Sequence, residues 1–96
     1  MDKNIVELFK AFSDPNRLEI IRLLIKGQNC SCNLVEQLPI SQPTLSYHLK
    51  QISKSKLAVN KRDGNWIKYY VDKDKIDEMI QFLQELKEIE ELSCKS

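Results

Sequence analysis

Cys30 and Cys32 place two soft sulfur donors one residue apart, nine residues ahead of the polar run Ser41-Gln42-Pro43-Thr44-Leu45-Ser46-Tyr47-His48-Leu49-Lys50. Thiolates select thiophilic ions, and a helix N-terminus lowers a thiol pKa and so favours the thiolate. Residues two apart rarely meet disulfide geometry without strain, so joint chelation of one ion is expected of the pair, not a mutual bridge. The polar neighbours Gln28, Asn29, Ser31 and Asn33 favour a wet, accessible position. The alternative is a pair of small apolar residues, buried and inert.

The second run has the chemistry of a base-reading helix. An α-helix fits the B-DNA major groove, and its N-terminal residues reach base edges. Ser41, Gln42, Thr44, Ser46, Tyr47 and His48 supply donors, acceptors and a flat apolar ring, and Lys50 and Lys54 supply charge for phosphates. Further on, Lys61, Arg62, Asn65 and Lys68 stand where a hairpin would meet phosphates or an adjacent minor groove. Each alone reads more simply as a solvated residue, and Trp66, Tyr69 and Tyr70 read as bracing for the hairpin. The signal is in the assembly.

Charge is distributed to match. The net charge of the 96 residues is +1. Between Ser41 and Tyr70, however, Lys50, Lys54, Lys56, Lys61, Arg62 and Lys68 oppose only Asp63, a local +5. From Val71 onward four lysines oppose eight carboxylates, a local −4. A basic middle with an acidic tail fits a localised polyanion footprint. An enzyme fits poorly: there is one histidine, no Ser/His/Asp arrangement, no phosphate loop and no acid pair. Cys-x-Cys also lacks the Cys-x-x-Cys spacing and βαβ context of a thiol oxidoreductase. A metal-blind regulator or an interaction module using the acidic last helix is a third possibility. No apolar run approaches a membrane span and no signal-peptide core is evident. The expected compartment is therefore a reducing cytoplasm, with no membrane partner.

These residues need a scaffold, and the apolar periodicity supplies one. Ile5, Leu8, Phe9 and Phe12 predict a first helix over about Lys3 to Phe12. Asp14-Pro15 caps and opens a second, which runs to Lys26, buries Leu18, Ile21, Leu24 and Ile25, and ends at Gly27. A third spans about Ser31 to Gln37 and stops before Pro39. Ser41 caps a fourth with Leu45, Leu49 and Ile52 inward, which leaves Ser46, Tyr47, His48, Lys50 and Gln51 mostly to the other faces. Asp63-Gly64 joins two β-prone runs, Leu57 to Arg62 and Asn65 to Val71, into a hairpin. A last amphipathic helix, from about Lys73 to Leu92, carries Ile76, Met79, Ile80, Leu83, Leu86, Ile89 and Leu92. The fold expected is one mainly α winged helix-turn-helix domain over residues 1–96, ordered α-α-α-α-β-β-α. Small size and the unspent apolar stripe predict a homodimer through the first and last helices, since helix-turn-helix readers usually pair across two half-sites.

Residues Ala11 to Leu24, reading AFSDPNRLEIIRLL, resemble the opening block of ArsR/SmtB-type metalloregulators. Ser41 to Leu49 resembles their recognition helix, and Arg62-Asp63-Gly64-Asn65-Trp66-Ile67-Lys68-Tyr69-Tyr70 resembles their wing. The resemblance covers nearly the whole chain, in the family's order. It implies a homodimeric repressor that binds double-stranded operator DNA and leaves it when an inducer binds. The Cys30-x-Cys32 helix resembles that of arsenic-responsive members, which implies As(III) or Sb(III) as inducer, with Cd(II) or Pb(II) behind them.

The arsenical pattern has a third cysteine one helical turn on, where this chain has Val35. Cys94, the only other thiol, is the candidate third ligand, from either subunit. A small thiol cofactor could serve instead. A redox or persulfide-responsive reading pairs Cys30 or Cys32 with Cys94, as in sulfur-sensing relatives, and requires the two regions to approach. Zinc, which wants four ligands, fits poorly. The zinc site that some members carry on the dimer helix needs histidines that this helix lacks.

Overall fold

A computed structural model of the chain describes residues 3–91. Helices α1 (Lys3–Ala11), α2 (Pro15–Ile25), α3 (Ser31–Gln37) and α4 (Gln42–Lys54) precede strands β1 (Ala58–Asp63) and β2 (Trp66–Val71), and α5 (Lys73–Glu88) follows. This is the winged helix-turn-helix order that the periodicity predicts.

Local chemistry sets the boundaries. The Asp14 carboxylate accepts from the backbone N–H groups of Asn16 at 2.8 Å and Arg17 at 3.2 Å, and Pro15 occupies the first turn of α2. At the other end Gly27, with φ +98, reverses the chain: its N–H reaches the Leu24 carbonyl and that of Gln28 the Leu23 carbonyl, a Schellman pair. Leu38, held extended ahead of Pro39, ends α3. The Ser41 hydroxyl accepts from the Thr44 N–H and caps α4. The strands pair antiparallel from Ala58↔Val71 to Asp63↔Trp66. The two loop residues are thus Gly64 and Asn65, one position later than the expected Asp63-Gly64. Gly64 has φ +64 while Asn65 does not take a positive φ, as a type II′ turn requires.

Leu8, Ile20, Leu34, Leu45, Ile52 and Leu57 form the fully enclosed centre of the core. The buried side of α2 differs from the expected one: Leu18 and Ile25 are exposed, while Ile20 and Leu23 are inside with Ile21 and Leu24. Apolar residues cover most of this helix, so its neighbours choose the buried side, and α2 packs against both α4 and β2.

α5 ends at Glu88, short of the expected Leu92, which lies outside the described residues. Glu88, Glu90 and Glu91 stand where the negative end of the helix dipole disfavours acids. α5 lies on α1, with the Phe9 and Phe82 rings 5.8 Å apart, and buries Met79. Its remaining stripe (Ile80, Leu83, Leu86 and Ile89) stays 48–68% exposed, and Val6 on α1 is 49% exposed. Among the described residues nothing folds back over this surface.

Candidate nucleic-acid interface and thiol site

α4 divides cleanly into two faces. Leu45, Leu49 and Ile52 point into the core, and Gln42, Thr44, Ser46, Tyr47 and Lys50 are exposed. The Ser41 hydroxyl donates to Thr44 Oγ1 at 3.0 Å, so these two hydroxyls are tied together at the helix start. His48, expected on the outer faces, is instead 6% exposed. Its Nδ1 lies 3.0 Å from Arg17 Nη1 and its Nε2 3.8 Å from Asp14 Oδ1. Leu45, His48, Leu49 and Ile52 follow the i, i+3, i+4, i+7 spacing, which puts the imidazole on the buried stripe.

Alternation along the hairpin separates its basic residues. Lys61 and Lys68 are cross-strand partners on one face, which also carries Asp63, Trp66 and Tyr70. Arg62 belongs to the other, with Asn60, Ile67 and Tyr69. Two like charges face to face would repel, and the Asp63 carboxylate relieves this by binding Lys68 Nζ at 2.9 Å. That hydrogen bond and charge hold the Lys68 pKa above its usual value. The Lys61 ammonium sits 5.8 Å from the centre of the Tyr70 ring.

Between α4 and the hairpin lies an open cleft of about 470 Å³. It brings Gln42, Ser46 and Lys50 together with Asn65 from the loop, as the sequence groups them. It also adds Asn60 and Trp66, which the sequence reading did not place there. Trp66 is half exposed at the cleft, not packed away as hairpin bracing. Alternation along β1, which puts Asn60 on the face of Arg62, was the available signal for Asn60.

The two sulfurs of Cys30 and Cys32 meet, with Cα atoms 5.2 Å apart, contrary to the expectation that they would not bridge. Cys30 is the extended N-cap of α3 (φ −97, ψ 136) and Cys32 lies in its first turn, so the chain bends between them and closes the Cα separation into the range of bridged pairs. Cys30 is buried and Cys32 half-buried, with its Sγ 3.6 Å from the Asn33 side-chain oxygen. Among the described residues no group of three or more His, Cys, Asp or Glu side chains is arranged to hold a metal ion. Cys94 lies outside them. Bridged, the pair offers no thiolate; only after reduction to two thiols would it present a soft ion with two sulfur donors, leaving the other positions to another group.

The thiol segment is joined to the hairpin through the backbone. Cys30 forms an antiparallel bridge with Lys68, and the Tyr69 N–H donates to the Asn29 carbonyl at 3.0 Å. The start of α3 thus acts as a short third strand on the inner edge of β2, a contact that hydrophobic periodicity alone does not signal.

Comparison with known proteins gives this geometry a context. Residues 14–58 match the family described as "Bacterial regulatory protein, arsR family". An HTH-type transcriptional regulator of Methanocaldococcus jannaschii is 40% identical over 81 residues, covering 83% of this chain and 91% of that one. An arsenical resistance operon repressor of Staphylococcus aureus is also 40% identical over 81 residues, covering 84% and 78%. Among solved structures, an ArsR-like transcriptional regulator from a Rhodococcus species has the same fold, with a TM-score of 0.80 at 23% identity, covering 88% of this chain and 79% of that one.

Proposed function

The chain belongs to the ArsR family of bacterial regulatory proteins, and from that premise we propose that it is a cytoplasmic homodimeric repressor released from operator DNA by a soft metal or metalloid at Cys30 and Cys32. It is a transcription regulator, not an enzyme. The observation that carries the reading is the exposed early face of α4, set across an open cleft from a basic hairpin.

In this reading each protomer inserts α4 into a major groove. Gln42, Thr44, Ser46 and Tyr47 meet base edges, and Ser41 and Lys50 meet the flanking phosphates. Lys61, Arg62 and Asn65 engage phosphates or the adjoining minor groove, while the Asp63 carboxylate holds Lys68 back from them. The uncovered apolar stripe of α5, with Val6 of α1, is the surface that two protomers would share. No described helix is long and apolar enough to cross a membrane.

As(III) or Sb(III) is the favoured inducer, supported by the arsenical repressor relative and by the preference for soft ions of the paired thiolates that the bridged sulfurs become when a cellular thiol reductant supplies two electrons. Cys94, the remaining thiol, is the candidate third donor. Displacing the start of α3 would shift both α4, against which α3 packs, and β2, to which Cys30 is bridged. A coupling of about 1–3 kcal/mol between the two sites is typical of such switches.

The test uses a duplex selected from random sequence by the protein itself. It is then challenged with arsenite, antimonite, cadmium, lead and a persulfide donor. Release by arsenite or antimonite, abolished in folded Cys30→Ser and Cys32→Ser variants that still bind DNA, supports the reading. Release by the persulfide donor alone would turn it to sulfur sensing. If none of the five acts, or if the serine variants fold but lose DNA binding, the sensor role is wrong.

A further inference from the structure

We infer that His48 is a positioning residue of the reading helix: held on its buried side by the partly buried Arg17, it sets the roll of α4 and so the register of the exposed side chains on bases. The inference rests on the proposal that α4 reads DNA. Arginine has donors and no acceptor, so the 3.0 Å contact makes His48 Nδ1 the acceptor and leaves the proton of a neutral ring on Nε2, the nitrogen nearer Asp14. Arg17 Nη2 also donates to the Lys10 carbonyl at 3.3 Å, at the end of α1. Asp14, which caps α2, faces the other side of the imidazole. One side chain of α4 is thereby tied to the end of α1 and the start of α2.

The tie bears on recognition because of where it sits. His48 follows the exposed Ser46 and Tyr47 directly, and its ring meets the Tyr47 ring edge-on at 5.4 Å. Apolar packing by Leu45, Leu49 and Ile52 fixes the depth of the helix but tolerates rotation about its axis. A directional hydrogen bond does not. Arg17 Nε is already buried without a partner, so loss of the His48 acceptor would leave a second guanidinium nitrogen unsatisfied and drive Arg17 to move.

The test compares His48→Leu, His48→Asn and Arg17→Met in the full-length protein, with melting temperature and affinities for the selected and a scrambled duplex measured for each. Leucine fills the pocket without an acceptor, whereas the Asn oxygen can stand where Nδ1 stood. Expected are a folded His48→Leu with discrimination between the duplexes reduced about tenfold, on the scale of one base contact, and unchanged affinity for the scrambled one. Arg17→Met should match it, and His48→Asn should recover most of the loss. Full discrimination in either His48→Leu or Arg17→Met overturns the inference. So does equal impairment of His48→Leu and His48→Asn, which would make the ring itself the contact. If His48→Leu does not fold, Arg17→Met decides alone. Failure of the unaltered protein to discriminate would instead overturn the DNA-reading proposal beneath it.

Discussion

Asp63 withholds one wing cation from solution, and its removal has a calculable effect. Lys68 is held by the Asp63 carboxylate at 2.9 Å, while among the described residues Lys50, Lys61 and Arg62 make no ion pair. In a dimer those three supply six cations for phosphates. At about −0.9 per neutralised phosphate, the plot of log Kobs against log salt has a slope of about −5. Asp63→Asn removes the carboxylate and keeps a side chain suited to a turn. The freed Lys68 adds one cation per protomer and steepens the slope by up to about 2. The double variant Asp63→Asn with Lys68→Ala leaves the slope near the parent value, because the neutral pair is removed whole, whereas Lys61→Ala or Arg62→Ala flattens it by about 2. Fluorescence anisotropy of a labelled duplex between about 50 and 200 mM salt measures all four. A slope for Asp63→Asn no steeper than the parent's refutes the assignment. So does a slope for the double variant as flat as that of Arg62→Ala.

Three other perturbations address the scaffold. Burial raises the Asp14 pKa, but the Arg17 and Asn16 N–H groups, with the charge of the Arg17 guanidinium, outweigh it and hold the carboxyl below its ordinary 3.8. Its stabilising effect is therefore complete above the unfolded pKa and is lost as pH falls through the lower folded one, so thermal melts of the parent drop more steeply over that acidic window than those of Asp14→Asn. Asp14→Ala, which also loses the cap, melts lower by about 4–8 °C at neutral pH. Gly27→Ala forces a Cβ into φ +98 and costs about 1–2 kcal/mol, read as a lower denaturant midpoint at unchanged m-value. Ile80→Glu with Leu83→Glu gives a helical monomer by light scattering that no longer binds the selected duplex tightly; a persistent dimer would place the interface elsewhere.

What the sequence disclosed follows from how local each signal is. Asp14-Pro15, Gly27, Pro39 and Ser41 act within a turn of where they stand, so the boundaries of α2, α3 and α4 were readable to within a residue. The buried side of α2 was not, because apolar residues surround it and its partners come from distant sequence. His48 was misplaced because polarity was weighed above spacing, although Leu45, His48, Leu49 and Ile52 form one helical stripe. The exposed members of the α4 site were legible since a capped amphipathic helix leaves few alternatives. The direct pairing of Lys61 with Lys68 needed the strand register, which moved when the loop fell one position later than expected.

The bridge between Cys30 and Lys68 makes the thiol segment and the wing a single hydrogen-bonded ribbon. The Tyr69 amide, held by the Asn29 carbonyl at 3.0 Å, is consequently a built-in reporter. Chemistry at the sulfurs that displaces residues 29–30 unlatches that one proton, and its exchange with deuterated solvent accelerates while amides within α2 keep their protection. Chemistry at Cys30 and Cys32 can thus be read in the free protein, with no DNA present.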